Sequence, residues 1–365
     1  MNKITVNLNR KIGNSYEIHI GDQILDRMAL ILARQNWAER YVIVTDTRID
    51  ALHGERVQKA LENADLRVER IAVPPGEAAK TIGTVLVITE KLTALRADRQ
   101  TALIALGGGV IGDLTGFAAS IYMRGIPVIQ LPTTLLAQVD SGIGGKTGVD
   151  TDSGKNILGT FYQPKGVFID ISFLRTLPDD QFVSGLAEVV KYGAIDSPIL
   201  LDNLEDAVAG GSLREPAFLE RIIATACRIK KGFVELDERD VGLRRVLNFG
   251  HTVGHAVEAA SAYALSHGEA VAIGMVAAAD LSEQLHHLPA DDRRRIASVV
   301  RALGLPDRIP GNLDLEEIRV RITRDKKKKG ETVRFVLLKK LGCPIVNGGI
   351  PEDLLTKTLE GLRKG

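Results

Sequence analysis

Thr101-Ala102-Leu103-Ile104-Ala105-Leu106 runs directly into Gly107-Gly108-Gly109-Val110-Ile111-Gly112-Asp113, and an apolar helical pattern follows over 114–122. A short apolar run, a G-x-G-x-x-G turn and a helix are the three parts of a dinucleotide-binding unit. Glycines let the backbone approach a pyrophosphate, and the start of the helix offers it free N–H groups. The position of the acidic residue is unusual. A ribose-binding carboxylate ordinarily follows the glycines by about 20 positions. Here the candidate, Asp46, precedes them, at the end of the apolar run Tyr41-Val42-Ile43-Val44-Thr45. A carboxylate at that point can also cap a turn or helix, so the glycine stretch by itself leaves dinucleotide binding open.

On either side the same alternation recurs. Residues 3–8 and 15–20 alternate apolar and polar, which predicts an opening hairpin around Lys11-Ile12-Gly13. Helical patterns over 22–35, 50–63 and 81–96 then separate strand-like runs over 41–45, 66–73, 101–106 and 126–131, with a Pro74-Pro75-Gly76-Glu77 turn between. This rhythm predicts a parallel sheet. Pro132-Thr133-Thr134 leads on to Asp140-Ser-Gly-Ile-Gly-Gly-Lys146-Thr147-Gly148. The ending imitates a P-loop, but Asp140 occupies the place of its first glycine, which argues against a Walker ATPase. Glycine-rich backbone bearing Lys146, followed by Lys155-Asn156, suits a phosphorylated or carboxylated ligand. A solvated surface loop is the alternative.

Beyond Pro178 the strand signals largely stop. Helical patterns cover 179–195, 198–209, 215–236, 248–263, 269–285, 290–303 and 314–322, with a strand or hairpin arm over 332–338 and a last helix over 351–363. An α/β domain over 1–178 and a helical domain over 179–365, packed with a cleft between them, is the expected organisation. Three of the seven histidines, His251, His255 and His267, fall within the second part. His251 and His255, four apart, share one helix face, but a zinc site needs further ligands, and no Glu follows His251 as in H-E-x-x-H. Glu188 and Lys191, three apart on another helix, would ordinarily be a surface ion pair.

The totals narrow the function classes. A net charge of +1 gives no field for nucleic acid or a membrane surface. The two cysteines, Cys227 and Cys343, form no disulfide or zinc pattern. There is no apolar run of about 18 residues and no signal-type N-terminus, so the expected setting is cytoplasmic.

Seven stretches occur in the order of one known family: 107–117 (GGGVIGDLTGF), 131–134 (LPTT), 138–148 (QVDSGIGGKTG), Lys155-Asn156, 187–192 (AEVVKY), 244–255 (RRVLNFGHTVGH) and His267-Gly268-Glu269-Ala270. Together they resemble the 3-dehydroquinate synthase family. The resemblance implies a Rossmann-like N-terminal nucleotide-binding domain, an all-α metal- and substrate-binding domain, and an active site between them. It implies a carbon–oxygen lyase of the shikimate route to aromatic amino acids. That reaction converts 3-deoxy-D-arabino-heptulosonate 7-phosphate into 3-dehydroquinate and phosphate. The order is oxidation by NAD, loss of phosphate, re-reduction, ring opening and aldol closure. Related cyclases act on sedoheptulose 7-phosphate or glucose 6-phosphate, which carry no carboxylate. A metal-dependent NAD polyol dehydrogenase is the rival of similar architecture.

Carried over position by position, the resemblance makes Glu188, His251 and His267 the ligands of zinc, or of cobalt in its place. It assigns NAD to Asp46, Gly76, Glu77, Lys80, Gly109, Val110, Ile111, Gly112, Asp113, Thr133, Thr134, Lys146, Lys155 and the turn Phe173-Leu174-Arg175-Thr176. Substrate contacts fall at Asp140, Lys146, Asn156, Lys191, Lys230, Arg244, Asn248, His255 and Lys326, with Lys327 as the alternative to Lys326. His255 would transfer protons. Arg124 would reach the substrate phosphate of a neighbouring subunit, which implies a homodimer. One departure stands out. The family's D-E-R-E reads Asp237-Glu238-Arg239-Asp240 here, so the last carboxylate is one methylene shorter.

Overall fold

In the computed structural model, which describes residues 15–152, 154–327 and 333–364, six strands form one sheet. They are β1 (Glu17–Gly21), β2 (Arg40–Asp46), β3 (Arg67–Val73), β4 (Thr101–Gly107), β5 (Val128–Pro132) and, after a hairpin of β6 (Lys146–Thr151) and β7 (Gly154–Phe161), β8 (Gly166–Asp170). Their order is β1-β8-β5-β4-β2-β3, and every pairing is parallel. Strand periodicity sends alternate residues to opposite faces. Val42, Val44, Leu103 and Ala105 pack with α4 (Ile82–Ala94) and α5 (Gly109–Ile121). Tyr41, Ile43, Ala102 and Ile104 pack with α1 (Leu25–Gln35) and α3 (Glu55–Glu62), which a single turn, α2 (Thr47–Ile49), precedes. The sheet is therefore doubly wound.

Sheet order accounts for the inverted fingerprint. The winding reverses between β2 and β4, which lie side by side with Thr45 opposite Leu106. Ligands of such sheets bind at the carboxyl ends of the strands flanking that point. The glycines end β4 and Asp46 ends β2, so the acidic residue comes first in sequence but stands next to the turn in space. Two expectations need correction. β1 lies parallel beside β8 at the sheet edge, while residues 3–8 and 11–13 of the expected hairpin lie outside the described residues. The helix after the glycines begins at Gly109, inside the motif, so Val110, Ile111, Gly112 and Asp113 lie in its opening turns.

The second half contains α6 (Asp179–Ile195), α7 (Pro198–Gly210), α8 (Pro216–Leu236), α9 (His251–Ala260), α10 (His267–Gln284), α11 (Ala290–Ala302), α12 (Leu315–Lys327) and α13 (Glu352–Gly361). It is not all-α. β9 (Arg334–Lys340) and β10 (Cys343–Gly348) form an antiparallel hairpin. The run Phe335-Val336-Leu337-Leu338 is buried, and the Leu338 N–H donates to Ser282 Oγ on α10 at 3.0 Å. The helical core also continues beneath the sheet: Val167 and Ile169 of β8 share a cluster with Leu186 and Val190 of α6 and Ile222 of α8. Among the described residues no helix is long and apolar enough to cross a membrane.

Candidate functional site

Close crossing of α9 and α10 brings the histidines together. A Cβ on Gly274 would stand 1.9 Å from the Gly250 carbonyl oxygen, so only glycine lets the helices meet there. His251 opens α9 and His267 opens α10, the latter held by a Ser266/Glu269 capping box. Glu188, fully buried on α6, points at both: its Oε1 lies 3.5 Å from His251 Nε2 and 3.4 Å from His267 Nε2. Tetrahedral zinc ligands at 2.0–2.1 Å are spaced about 3.4 Å from one another. Glu188 Oε1 accepts no hydrogen bond although it is buried. An orphaned carboxylate oxygen facing two imidazole nitrogens fits a divalent metal, and a group of three ligand atoms within 4.8 Å supplies its donors. Burial pushes His251 down to about 3. Burial also acts on His267, but Glu188 and Glu258 outweigh it and raise its pKa to about 9.

Beside this cluster lies a cationic group organised on Asp140. Its Oδ1 accepts from the Tyr192 hydroxyl at 2.6 Å and from Lys230 Nζ at 2.7 Å, with Lys191 Nζ at 3.9 Å. Burial would raise the Asp140 pKa, yet Lys230 and Lys191 hold it well below the carboxylate range. Burial in turn lowers the Lys230 pKa. Lys191 also pairs with Glu188. Arg244, 3% exposed, differs from both lysines. Its Nη1 donates to the carbonyls of Gly144 at 3.2 Å and Glu238 at 3.0 Å, and no carboxylate among the described residues forms an ion pair with it. Gly144 has a φ of +93°, and a Cβ there would lie 2.3 Å from Arg244 Nη2, so the guanidinium occupies the space the glycine leaves. Lys146 at the start of β6 pairs with Asp240. Asp240 has a left-handed φ of +54° and a buried Oδ1 without a partner.

On the sheet side, Asp46 stands next to the glycine turn, where its Oδ1 caps α2 through the N–H groups of Arg48 and Ile49. The capping reading is thus the one seen here, and it engages Oδ1 alone. Thr133 Oγ1 and Ser141 Oγ are buried without partners among the described residues, and Ser141 Oγ lies 2.9 Å from where a Gly109 Cβ would be. Orphaned hydroxyls beside a helix N-terminus fit a phosphate-bearing cofactor. Lys80 pairs with Asp113 at 2.6 Å and donates to Asn156 Oδ1 at 2.7 Å. Lys155 reaches Glu77 at 3.2 Å and Glu258 at 2.9 Å, and so joins the nucleotide side of the cleft to α9.

Not every expected residue joins this assembly by its side chain. Ile111, Phe173 and Leu174 are core residues, Arg175 pairs with Asp22, and Thr176 accepts from or donates to His53 at 2.8 Å. Asn248 and His255 are exposed, with the His255 ring 5.2 Å from that of His251. Arg124 is exposed at the end of α5, and the side chains of Lys326 and Lys327 lie outside the described residues. Sequence reasoning missed Glu258 and Tyr192. Glu258 stands three residues after His255, a same-face spacing that could have flagged it.

A doubly wound sheet with a glycine turn, facing a carboxylate–imidazole cluster ringed by buried cations, defines a nucleotide- and metal-type enzyme. Known proteins narrow this further. Residues 70–184 match the 3-dehydroquinate synthase N-terminal family model, and residues 185–328 match the C-terminal one. The chain belongs to the 3-dehydroquinate synthase-like family of sugar-phosphate cyclases. Among solved structures it is similar to ValA, the 2-epi-5-epi-valiolone synthase of Streptomyces hygroscopicus subsp. jinggangensis 5008 with NAD+ and Zn2+ bound. That match has 28% identity over 98% of this chain and 99% of the other, with a TM-score of 0.88. A 2-deoxy-scyllo-inosose synthase complexed with carbaglucose-6-phosphate, NAD+ and Co2+ matches at 27% identity over 94% and 96%, with a TM-score of 0.85. An iron-containing alcohol dehydrogenase shares the fold alone, at 14% identity over 94% and 96% and a TM-score of 0.64.

Proposed function

We propose that the chain is a 3-dehydroquinate synthase, a lyase that converts 3-deoxy-D-arabino-heptulosonate 7-phosphate into 3-dehydroquinate and phosphate. The observation that carries this reading is Arg244. A buried guanidinium without a carboxylate partner is costly unless a ligand supplies the anion, and the heptulosonate carries a carboxylate. Glu188, His251 and His267 would hold zinc or cobalt, the metals bound by the two cyclase relatives. Asp46, the glycine turn, Thr133, Lys80 and Lys155 would hold NAD, which both relatives also bind. Bound there, the metal would acidify a substrate hydroxyl and polarise a carbonyl, and NAD would accept a hydride and return it.

The chain's own groups do the rest. Lys191, Lys230 and Asp140 form a fixed charged wall that orients the substrate before it reacts. Lys146 and Asn156 reach it from the β6–β7 hairpin, and His255, exposed and one turn from His251, moves protons. Arg124 would serve the site of a second copy. In support of a homodimer, Ile157, Leu158 and Phe161 on β7 and Met123 beside Arg124 are exposed apolar side chains. The similarity to two other cyclases favours, as a second reading, a cyclase of a substrate without a carboxylate. A polyol dehydrogenase would leave the buried cations without a ligand.

The test measures phosphate release from the heptulosonate phosphate and from sedoheptulose 7-phosphate, with the wild type and Arg244→Ala. Leaving the cations under-paired costs about 2–4 kcal/mol, so wild-type kcat/KM should favour the heptulosonate by roughly 30- to 1000-fold. Arg244→Ala should narrow that gap by harming the preferred substrate. Equal handling of both by the wild type overturns the assignment. Accumulation of NADH without phosphate release would instead mark a dehydrogenase.

A further inference from the structure

Each of the two imidazoles that face Glu188 has a second ring nitrogen, and the two are held differently. His251 Nδ1 meets the Phe249 carbonyl oxygen at 3.2 Å, so backbone fixes that ring. Among the described residues His267 Nδ1 has no backbone acceptor. It faces Glu258 Oε2 at 3.8 Å, a small turn of the carboxylate short of a hydrogen bond. Glu258 is buried on α9, and its other oxygen accepts from Lys155 at 2.9 Å. Lys155 is itself fixed, stacked over the Tyr263 ring at 4.4 Å and paired with Glu77. The carboxylate therefore cannot swing away from His267 without breaking a half-buried ion pair.

His255, Glu258 and His267 also offer three donor atoms within 4.8 Å, which on geometry alone could hold a second metal. The Lys155 ammonium decides against that. It already neutralises the carboxylate through Oε1, and a cation brought to Oε2 would face it across the same carboxyl group. An orienting role remains. An imidazole that binds metal through one nitrogen ordinarily donates from the other to a carboxylate or carbonyl, which fixes its tautomer and ring plane.

We propose that Glu258 is a positioning residue that holds His267 with its Nδ1–H toward the carboxylate and its Nε2 lone pair toward Glu188. The proposal rests on the metal reading of Glu188, His251 and His267. The experiment measures Zn2+ affinity of the full chain by competition with a chromophoric chelator, and the visible absorption of the Co2+ form. Glu258→Ala should weaken Zn2+ binding by about ten- to a hundredfold and alter the Co2+ bands. Glu258→Gln keeps an acceptor oxygen at the same reach, so it should fall between Glu258→Ala and wild type. A purely structural role would lower the unfolding temperature of the metal-free chain and leave the Co2+ spectrum of the folded protein unchanged. Wild-type affinity and spectrum in both variants overturn the proposal. Zn2+ binding by the wild type that His251→Ala and His267→Ala leave unchanged would instead overturn the metal reading, and this inference with it.

Discussion

Lys191 and Glu188 stand one turn apart on α6 and form an ion pair from which water is excluded, their side chains being 2% and 0% exposed. Lys191 also faces Asp140, at 3.9 Å and beside Lys230. Removing it leaves the buried Glu188 carboxylate, and the half-buried Asp140 beside it, with less compensation. Lys191→Met should destabilise the metal-free chain by about 3–5 kcal/mol. Because a divalent ion replaces the missing charge, Zn2+ should recover more stability in the variant than in the wild type. Denaturant unfolding with and without Zn2+ checks both, and an equal Zn2+ increment in the two proteins would contradict the account.

Stripping the metal should abolish turnover while NAD still binds. The donor set lies on α6, α9 and α10, whereas the glycine turn and Asp46 lie on the sheet. Titrating NAD into the chelator-treated protein, with its metal content verified, tests this. Full activity in that preparation would refute it.

Proton release should accompany metal binding, and its size follows from the two histidines. Near pH 7.5 His251, pushed down to about 3, is already neutral, while His267, raised to about 9, is protonated. Zinc must displace the His267 proton, so about one proton should leave per ion. Calorimetry in buffers of different ionisation enthalpy counts it. The sign for stability follows from the same shift. The His267 contribution to the metal-free chain is complete below its ordinary value of 6.5 and is lost as pH rises through about 9. His251 acts oppositely, its burial costing stability as pH falls from 6.5 toward about 3.

Mixed dimers test whether Arg124 serves a neighbour's site. Arg124→Ala and His255→Ala subunits, each inactive alone, would give heterodimers with one site free of both lesions. Re-forming dimers from an equal mixture should restore about a quarter of wild-type activity. Heterodimers that are isolated and remain inactive would show that Arg124 acts within its own subunit.

Much of the sheet was legible because apolar runs and turn residues recur at fixed periods. What the sequence could not display was adjacency. Asp46 looked misplaced before the glycines until sheet order set β2 beside β4. Glu188 and Lys191 have the spacing of a surface pair, and only burial makes them a charged centre. The three metal-type donors were gathered by family resemblance, because nothing in local periodicity links α6 to the starts of α9 and α10. Hairpin β6–β7 was read as glycine-rich loop, since Gly148 and Gly159 weaken the strand signal. Their close contact explains them: a Cβ on Gly159 would lie 2.2 Å from the Thr147 carbonyl oxygen. Asp240 keeps its charge and still meets Lys146, but the shorter arm goes with a left-handed backbone and an unpaired oxygen.

Asp140 reaches from the glycine-rich segment after β5 into the lysines of α6 and α8, and Val167 and Ile169 do the same with apolar surface. Severing the chain near Pro178 would thus leave neither piece self-sufficient. The N-terminal fragment would expose bare valine and isoleucine, and the C-terminal fragment would carry Lys230 with no Asp140 to neutralise it, Lys191 keeping Glu188. Such fragments should aggregate when expressed apart and regain a native spectrum only when expressed together. Heritable change in this chain is constrained accordingly: a foreign half can replace its counterpart only if it brings that half's share of the pair, Asp140 from the first or Lys191 and Lys230 from the second.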